Sequence, residues 1–494
     1  MNMPIIGTAF LKRAEVISRL RRALPEACVL FDPEDTRPYE CDGLSAYREL
    51  PGVVALAENE EQVRHALRAC FDLGVPVVAR GAGTGLSGGA LPMANGVLLS
   101  LAKMKRILAI DPVARTARVQ PGVRNLAITE AAAPYGLYYA PDPSSQIACS
   151  IGGNVAENAG GVHCLKYGLT VHNVLRVRGV TIDGEVSEFG SEALDAPGYD
   201  LLALVTGSEG MLAVITEITV KLVPTPEAAR VILAAFDDVE KAGAAVAAII
   251  AAGIIPAGLE MMDQAATRAV EEYVHAGYDL AAAALLLCES DGTPEEVEEE
   301  IERMTEVLRG AGAYDFRVSQ DEAERLKFWS GRKAAFPTMG RISPDYYCMD
   351  GTIPRKRLAE ILRFIAVLEA KYGLRCPNVF HAGDGNLHPL ILFDANDPDQ
   401  LRRTELFAGE VLEKCIEVGG TITGEHGVGI EKINQMCVQF SPDELEQFRA
   451  VKRAFDPKEL LNPGKNIPTL HRCAEFGKMH VRGGKLPFPG LERF

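Results

Sequence analysis

The sequence predicts an α+β protein with two principal domains, and three observations carry that reading. Its 494 residues exceed what one compact core holds and suggest two or three domains. A strand–helix–strand unit followed by strand-rich sequence fills the first half, and from Val231 strands alternate with helices. The boundaries fall as an N-terminal helical segment over 1–50, a first domain over 51–227, a second over 228–467 with a helical C-terminal part, and a tail over 468–494.

Taking the chain in order, the opening "MNMPIIGTAFLKRAEVISRL" lacks the apolar core and cleavage site of a signal peptide. The 11 cysteines are scattered without a C-x-x-C pair, which fits a reducing cytoplasm and argues against an iron–sulfur cluster bound by this chain itself. The net charge of -16 speaks against nucleic acid or an anionic membrane as partner, and it requires any anionic substrate to meet local Arg or Lys.

Residues 53–80 read as strand ("VVALA"), helix and strand ("VPVVAR"). Asn59 and Gln62 stand in capping spacing, Gly74 closes the helix, and Val63, Ala66, Leu67 and Cys70 form its buried stripe. "ARGAGTGLSGGA" then matches G-x-G-x-x-G literally, but "GGALPMANGVLLS" leads to a strand rather than a helix. The nicotinamide dinucleotide reading therefore fails on context, and an anion-binding glycine loop survives. Strands follow in "GVLLSLAKM", "RILAIDPVARTARVQPG" and "VLRVRGVTIDGEVSEFG", and Gly207 opens a tight turn before another.

From Val231 the order is strand ("VILAAF"), alanine-rich helix, strand ("IIPAGLEMM"), helix, strand ("LAAAALLLCES") and acidic helix, which suits a sheet with helices on one face. The uncharged stretch 242–259 is no membrane span, because Gly253 and Pro256 break it into helix and strand. The run "EEVEEEIERM" is a solvated helix face, since Val297, Ile301 and Met304 keep an apolar stripe.

Two histidines flank a turn in "HAGDGNLHP". Reversal at Asp384-Gly385 would pair His381 directly with His388, placing two imidazoles within reach of one cation. "GEHGVG" adds Glu425 and His426. His381, His388 and Glu425 make a two-His, one-carboxylate set suited to a divalent cation (zinc, manganese or iron) with open positions for a 2-hydroxy acid, leaving His426 as general base.

"RGAGTGLSGG", "PDPSS", "SIGGNVAENAGG", "KYG" and "GSEGMLAVITE" together resemble the FAD-binding domain of the vanillyl-alcohol-oxidase type of flavoprotein. That resemblance implies a pyrophosphate loop of Arg80, Gly81, Gly83, Thr84, Gly85, Leu86, Ser87 and Gly88. It also implies that Pro141, Asp142, Ser144, Gly152, Gly153, Asn154, Asn158, Gly160, Gly161, Gly207, Glu209, Gly210 and Ile215 lie around the flavin. The first loop carries no histidine for covalent attachment, so the FAD is expected to dissociate. "HAGDGNLHP", "GEHGVGIEK", "FDPKELLNPGK" and "FWSGRKAAFP" resemble the FAD-linked D-2-hydroxyacid dehydrogenases over nearly the whole chain.

By that resemblance Asn462 joins the cofactor residues, Asn386 stands beside the substrate, Arg332 clamps its carboxylate, and His381, His388, Glu425 and His426 keep the roles above. Cys348 occupies a position where the hydroxyglutarate enzymes use lysine, which favours a small monocarboxylate such as glycolate or D-lactate. The resemblance is strongest to the glycolate-oxidising members. It implies an iron–sulfur subunit and a second flavin-domain-like subunit, which would bring a cytoplasmic protein to the inner membrane without a span of its own. The rivals are a D-lactate dehydrogenase acting alone and a flavin-binding assembly subunit without chemistry.

Overall fold

The computed structural model describes residues 10–193 and 198–469, so the predicted tail beyond Thr469 lies outside the described residues. A first sheet has the order β1-β2-β4-β3, formed by Val29–Leu30, Val53–Leu56, Val97–Ser100 and Val77–Arg80 respectively. β2, β3 and β4 run parallel and β1 is antiparallel. The N-terminal segment therefore contributes an edge strand to this sheet. The connecting helix Glu60–Leu73 begins where the Asn59 side chain accepts from the Gln62 N–H and ends at left-handed Gly74; Val63, Ala66, Leu67 and Cys70 are buried as its spacing predicts.

β5 (Ile107–Asp111) and β6 (Thr116–Val119) join β8 (Val174–Val180), β9 (Val186–Gly190) and β10 (Val214–Lys221) in an antiparallel sheet ordered β5-β6-β10-β8-β9. Two short strands, β7 (Leu137–Tyr138) and β11 (Val223–Pro224), pair beside it. The second half is a seven-stranded antiparallel sheet, β15-β12-β14-β13-β17-β18-β16. In chain order its strands are β12 (Ala228–Phe236), β13 (Gly258–Asp263), β14 (Ala284–Gly292), β15 (Asp315–Val318), β16 (Asp345–Cys348), β17 (Asn378–His381) and β18 (Asn386–Phe393).

Helices cover both faces of this sheet, not one as expected. Ile232, Ala234 and Phe236 pack under helices Val239–Ala251, Pro294–Gly310 and Leu358–Tyr372. Their neighbours Val231, Leu233 and Ala235 pack on the opposite side under helices Gln264–Val274 and Glu322–Ile342. The physical reason is visible in "VILAAF": a strand apolar at consecutive positions has no face to give to water. The stretch 242–259 is indeed helix followed by β13, and no described helix is long and apolar enough to cross a membrane.

The end of the described chain returns to the first sheet. The Val77 N–H donates to Leu460 O at 2.7 Å and the Asn462 N–H to Val77 O at 2.7 Å, while Leu461 is buried in the core of that sheet. The stretch assigned to 228–467 thus ends in a segment that packs on the first sheet.

Candidate functional site

A cavity of about 510 Å³ lies where the two halves meet. One end is walled by the glycine loop, the other by His388, Glu425, His426, Lys333, Phe336 and Tyr346. Of the residues expected around a flavin, Arg80, Gly81, Gly83, Thr84, Gly85, Leu86, Ser144, Gly152, Gly153, Asn154, Glu209, Gly210 and Ile215 stand on its wall. Gly83 takes φ +75°, where a methyl would overlap the Arg80 guanidinium, so glycine is the residue that lets the loop close on that arginine.

The other expected cofactor residues stand one layer back, each for a local reason. Ser87 O accepts the Ile430 N–H at 3.0 Å, and a Cβ on Gly88 would come within 2.5 Å of the Ile430 side chain. Pro141 O accepts from Asn125 Nδ2 at 3.0 Å. Asp142 accepts from the His163 ring at 2.8 Å, and Gly161 packs against the Asp142 backbone. Asn158, left-handed at φ +55°, accepts the Val171 N–H. Gly160 leaves room for Glu425 Oε2, which a Cβ would approach to 2.5 Å. The Gly207 N–H donates to Val155 O at 2.8 Å, and Asn462 Nδ2 bridges the carbonyls of Gly89 and Glu209 at 2.9 and 2.8 Å.

The histidine hairpin differs in register from the expectation. The turn is the four-residue Ala382–Gly385, His381 pairs with Asn386, and Val379 pairs with His388. A two-residue difference keeps both histidines on the same face, so they meet as diagonal neighbours with ring centroids 4.9 Å apart. Glu425 Oε1 stands 3.4 Å from His381 Nε2 and 3.2 Å from His388 Nε2, while the His426 ring stacks on His388 at 4.9 Å and 5°. His381 Nε2, both His388 ring nitrogens and His426 Nδ1 are buried without a hydrogen-bond partner among the described residues.

Three buried groups that sequence reasoning missed organise this cluster. Glu260 on β13 takes the His381 Nδ1 at 2.7 Å and the Arg332 Nε at 2.6 Å. Burial opposes charge on His381, but the Glu260 and Glu425 carboxylates outweigh it and hold the ring's pKa well above its ordinary value. Asp350 accepts from Thr423 Oγ1 at 2.6 Å and from the Gly424, Glu425 and His426 N–H groups at 3.1, 3.2 and 2.8 Å. Lys432 Nζ lies 3.5 Å from Asp350 and donates to Gly427 O at 2.8 Å. His426 itself is pulled down to about 4 by burial, with Asp350 opposing and His388 adding to it, so its ring is neutral.

Glu157 stands on the cavity wall beside Glu209, whose oxygens accept the Val428 and Gly429 N–H groups at 2.7 Å each. Burial and then Glu209 raise the Glu157 pKa well above its ordinary value. Glu157 lies inside the quoted "SIGGNVAENAGG", so its position was visible; its burial against a second carboxylate was not.

Arg332 and Asn386 do not line the cavity wall. Arg332 is only 1% exposed, is paired with Glu260 and is absent from the cavity wall. Asn386 is also off the wall, with Nδ2 given to Asp350 Oδ1 at 3.0 Å. Each gives a donor to a buried carboxylate of the cluster, Arg332 its Nε to Glu260 and Asn386 its Nδ2 to Asp350.

The chain matches two family models, the FAD binding domain over residues 51–190 and the C-terminal domain of FAD linked oxidases over 225–466. It is 65% identical, over 98% of its length and 97% of the relative's, to the glycolate oxidase subunit GlcD of Escherichia coli (strain K12). It is 33% identical, over 91% of its length and 97% of the relative's, to a D-lactate dehydrogenase of Anaerostipes hadrus. In fold it resembles the 4-ethylphenol oxidase of Gulosibacter chungangensis, with a TM-score of 0.79 at 18% identity over 95% of this chain and all of that one, as the vanillyl-alcohol-oxidase resemblance implies. Glycine loop, shared cavity, histidine cluster and these matches converge: the chain belongs to the FAD-linked oxidase family that contains GlcD and the D-lactate dehydrogenases.

Proposed function

We propose that this chain is the flavin subunit of a multi-subunit enzyme that oxidises glycolate to glyoxylate, with D-lactate as a second substrate. The observation that carries this reading is one cavity joining the glycine loop to the His388–Glu425–His426 cluster, in a chain 65% identical to GlcD. The relative's designation as a subunit supports partner chains. An iron–sulfur subunit and a second flavin-domain-like subunit would take the electrons onward and bring the enzyme to the inner membrane.

Bound FAD supplies the hydride acceptor, and a divalent cation (zinc, manganese or iron) supplies Lewis acidity at the substrate hydroxyl. The donors present fit such a cation. Asp350, His388, Glu425 and His426 offer ligand atoms within 4.8 Å of one another, and His381 Nε2 faces Glu425. Asp350 already accepts three backbone N–H groups and a hydroxyl, so His381, His388 and Glu425 are the set we assign, with Glu260 fixing the His381 ring from behind. His426 Nδ1, buried and unpartnered, takes the hydroxyl proton as the C2 hydrogen leaves as hydride.

The test is anaerobic single-turnover bleaching of the flavin with a panel of 2-hydroxy acids, alongside metal analysis. Glycolate and then D-lactate should bleach fastest. His426→Gln should keep FAD and metal yet slow bleaching by roughly 10²- to 10⁴-fold, whereas His381→Ala should lose metal and activity but keep FAD. Wild type that no 2-hydroxy acid bleaches would overturn the reading. Full-rate bleaching by metal-free wild type would make the hairpin pair structural and leave only the His426 role.

A further inference from the structure

A 2-hydroxy acid carries four groups on C2: a hydrogen, a hydroxyl, a carboxylate and a variable substituent. With the hydrogen aimed at the flavin and the hydroxyl at His426, the variable substituent splays away from the flavin, toward the wall that carries His388, Glu425 and His426. The apolar side chains on that wall are Phe336, Pro337 and Tyr346.

Phe336 follows Arg332 by four residues on the helix Glu322–Ile342, so the two lie on the same side of it. That spacing matches the diagonal histidine pair. The Arg332 guanidinium stands 3.5 Å from His381 Nδ1, and one turn on the Phe336 ring meets His388 edge-on, with centroids 6.1 Å apart at 66°. Tyr346 closes on Phe336 from β16, with centroids 6.1 Å apart at 59°. The pairing of β16 with β18 sets Tyr346 opposite Leu392 and Cys348 opposite Leu390, all on the face that carries His388. Both aromatic rings are half-buried and rest on the apolar cluster that contains Met339, Cys348, Leu390 and Leu392. Held by Tyr346 on one side and His388 on the other, the Phe336 ring yields space only if that cluster unpacks.

We propose that Phe336, backed by Tyr346, is the specificity-determining residue that limits the C2 substituent of the substrate to hydrogen or methyl. This rests on the function proposed above. Hydrogen and methyl fit in front of the ring, whereas an ethyl group adds a carbon that needs the volume the ring occupies.

The experiment is anaerobic flavin bleaching of the full-length, FAD-loaded protein by glycolate, D-lactate, D-2-hydroxybutyrate and D-2-hydroxypentanoate, for wild type, Phe336→Ala and Phe336→Leu. The readout is the second-order rate constant for each acid divided by that for glycolate. In wild type this ratio should drop about tenfold or more between D-lactate and D-2-hydroxybutyrate. In Phe336→Ala the ratios for the two longer acids should rise roughly 10- to 200-fold, the range that one methylene commands in an apolar pocket, with FAD content unchanged. Phe336→Leu, which keeps more of the packing and carries the test if the alanine variant fails to fold, should favour D-2-hydroxybutyrate over D-2-hydroxypentanoate. A merely structural role for the ring would slow all four acids alike. Ratios within twofold of wild type in both variants, or a wild type that takes D-2-hydroxypentanoate as fast as glycolate, would overturn the Phe336 assignment and leave the proposed function standing. A wild type that none of the four acids bleaches would overturn the two together.

Discussion

Replacing Asp350 by Asn tests whether one buried carboxylate holds the loop that carries Glu425 and His426. Asp350 is fully buried and accepts from Thr423 Oγ1, from the Gly424, Glu425 and His426 N–H groups and from Asn386 Nδ2. Asparagine keeps the shape but removes the charge and turns one acceptor into a donor, so at least one N–H at the loop meets another donor. A buried donor left unsatisfied costs about 1–3 kcal/mol. Deleting one member of a buried ion pair costs about 3–5 kcal/mol, and the lower end applies because Lys432 keeps Glu431 at 3.2 Å. The expected loss is therefore about 4–6 kcal/mol, a large share of the roughly 5–15 kcal/mol that holds a typical protein together. Thermal unfolding followed by flavin fluorescence should show the midpoint lowered by several degrees. Single-turnover bleaching should slow by about 10²-fold, because displacing a reacting group by one ångström is enough for that. A midpoint within one degree of wild type, together with wild-type bleaching, would refute the role given to Asp350.

Three further outcomes follow from the geometry. FAD should leave the protein on acid or heat precipitation, the first loop having no histidine, and yellow colour in the washed pellet would contradict this. Arg332→Ala should destabilise by about 3 kcal/mol, the lower end for breaking a buried pair because Glu260 keeps His381 at 2.7 Å, and Arg332→Lys should restore part of it; urea titration of both variants checks the point, and equal midpoints for wild type and Ala would sink it. His163 is held between Asp142 at 2.8 Å and Glu289 at 3.1 Å; burial works against its charge, yet the two carboxylates keep its pKa well above the ordinary 6.5. Its contribution is then full below pH 6.5 and lost as pH rises through the folded-state value, so wild type should lose thermal stability on going alkaline while His163→Gln shows a flatter profile; parallel profiles would exclude the link.

What could be read from the sequence was whatever neighbours in the chain decide. Asn59 with Gln62 marks a helix start through a bond spanning three residues, and the glycine loop excluded a nicotinamide site because the next dozen residues lacked a helix. The hairpin register was not legible, since a two-residue and a four-residue turn fit "AGDG" equally; the histidine pair survived because both registers share a face. The supports of the site were hidden for a different reason. Glu260 lies 121 residues before His381 and 72 before Arg332, within "GLEMMD", which reads as plain core strand. Only the paired sheet shows that this strand carries a charge inward. The pairing of Arg332 with Glu260 was hidden in the same way, because nothing beside an arginine in the chain names a carboxylate 72 residues away.

The return of Leu460–Asn462 to Val77 has a consequence for how the protein is made. β3 is the outer strand of the first sheet, and its free edge is paired at Val77 by Leu460–Asn462, residues translated long after it. Until those residues leave the ribosome, the flavin-binding half presents an open sheet edge with apolar Val77 at its rim, the kind of surface that recruits strands from other chains. Synthesis of residues 460–462, rather than of the first sheet itself, is thus the event that shields this edge. A fragment ending before Leu460 should gather into aggregates even though every strand of its first sheet is present.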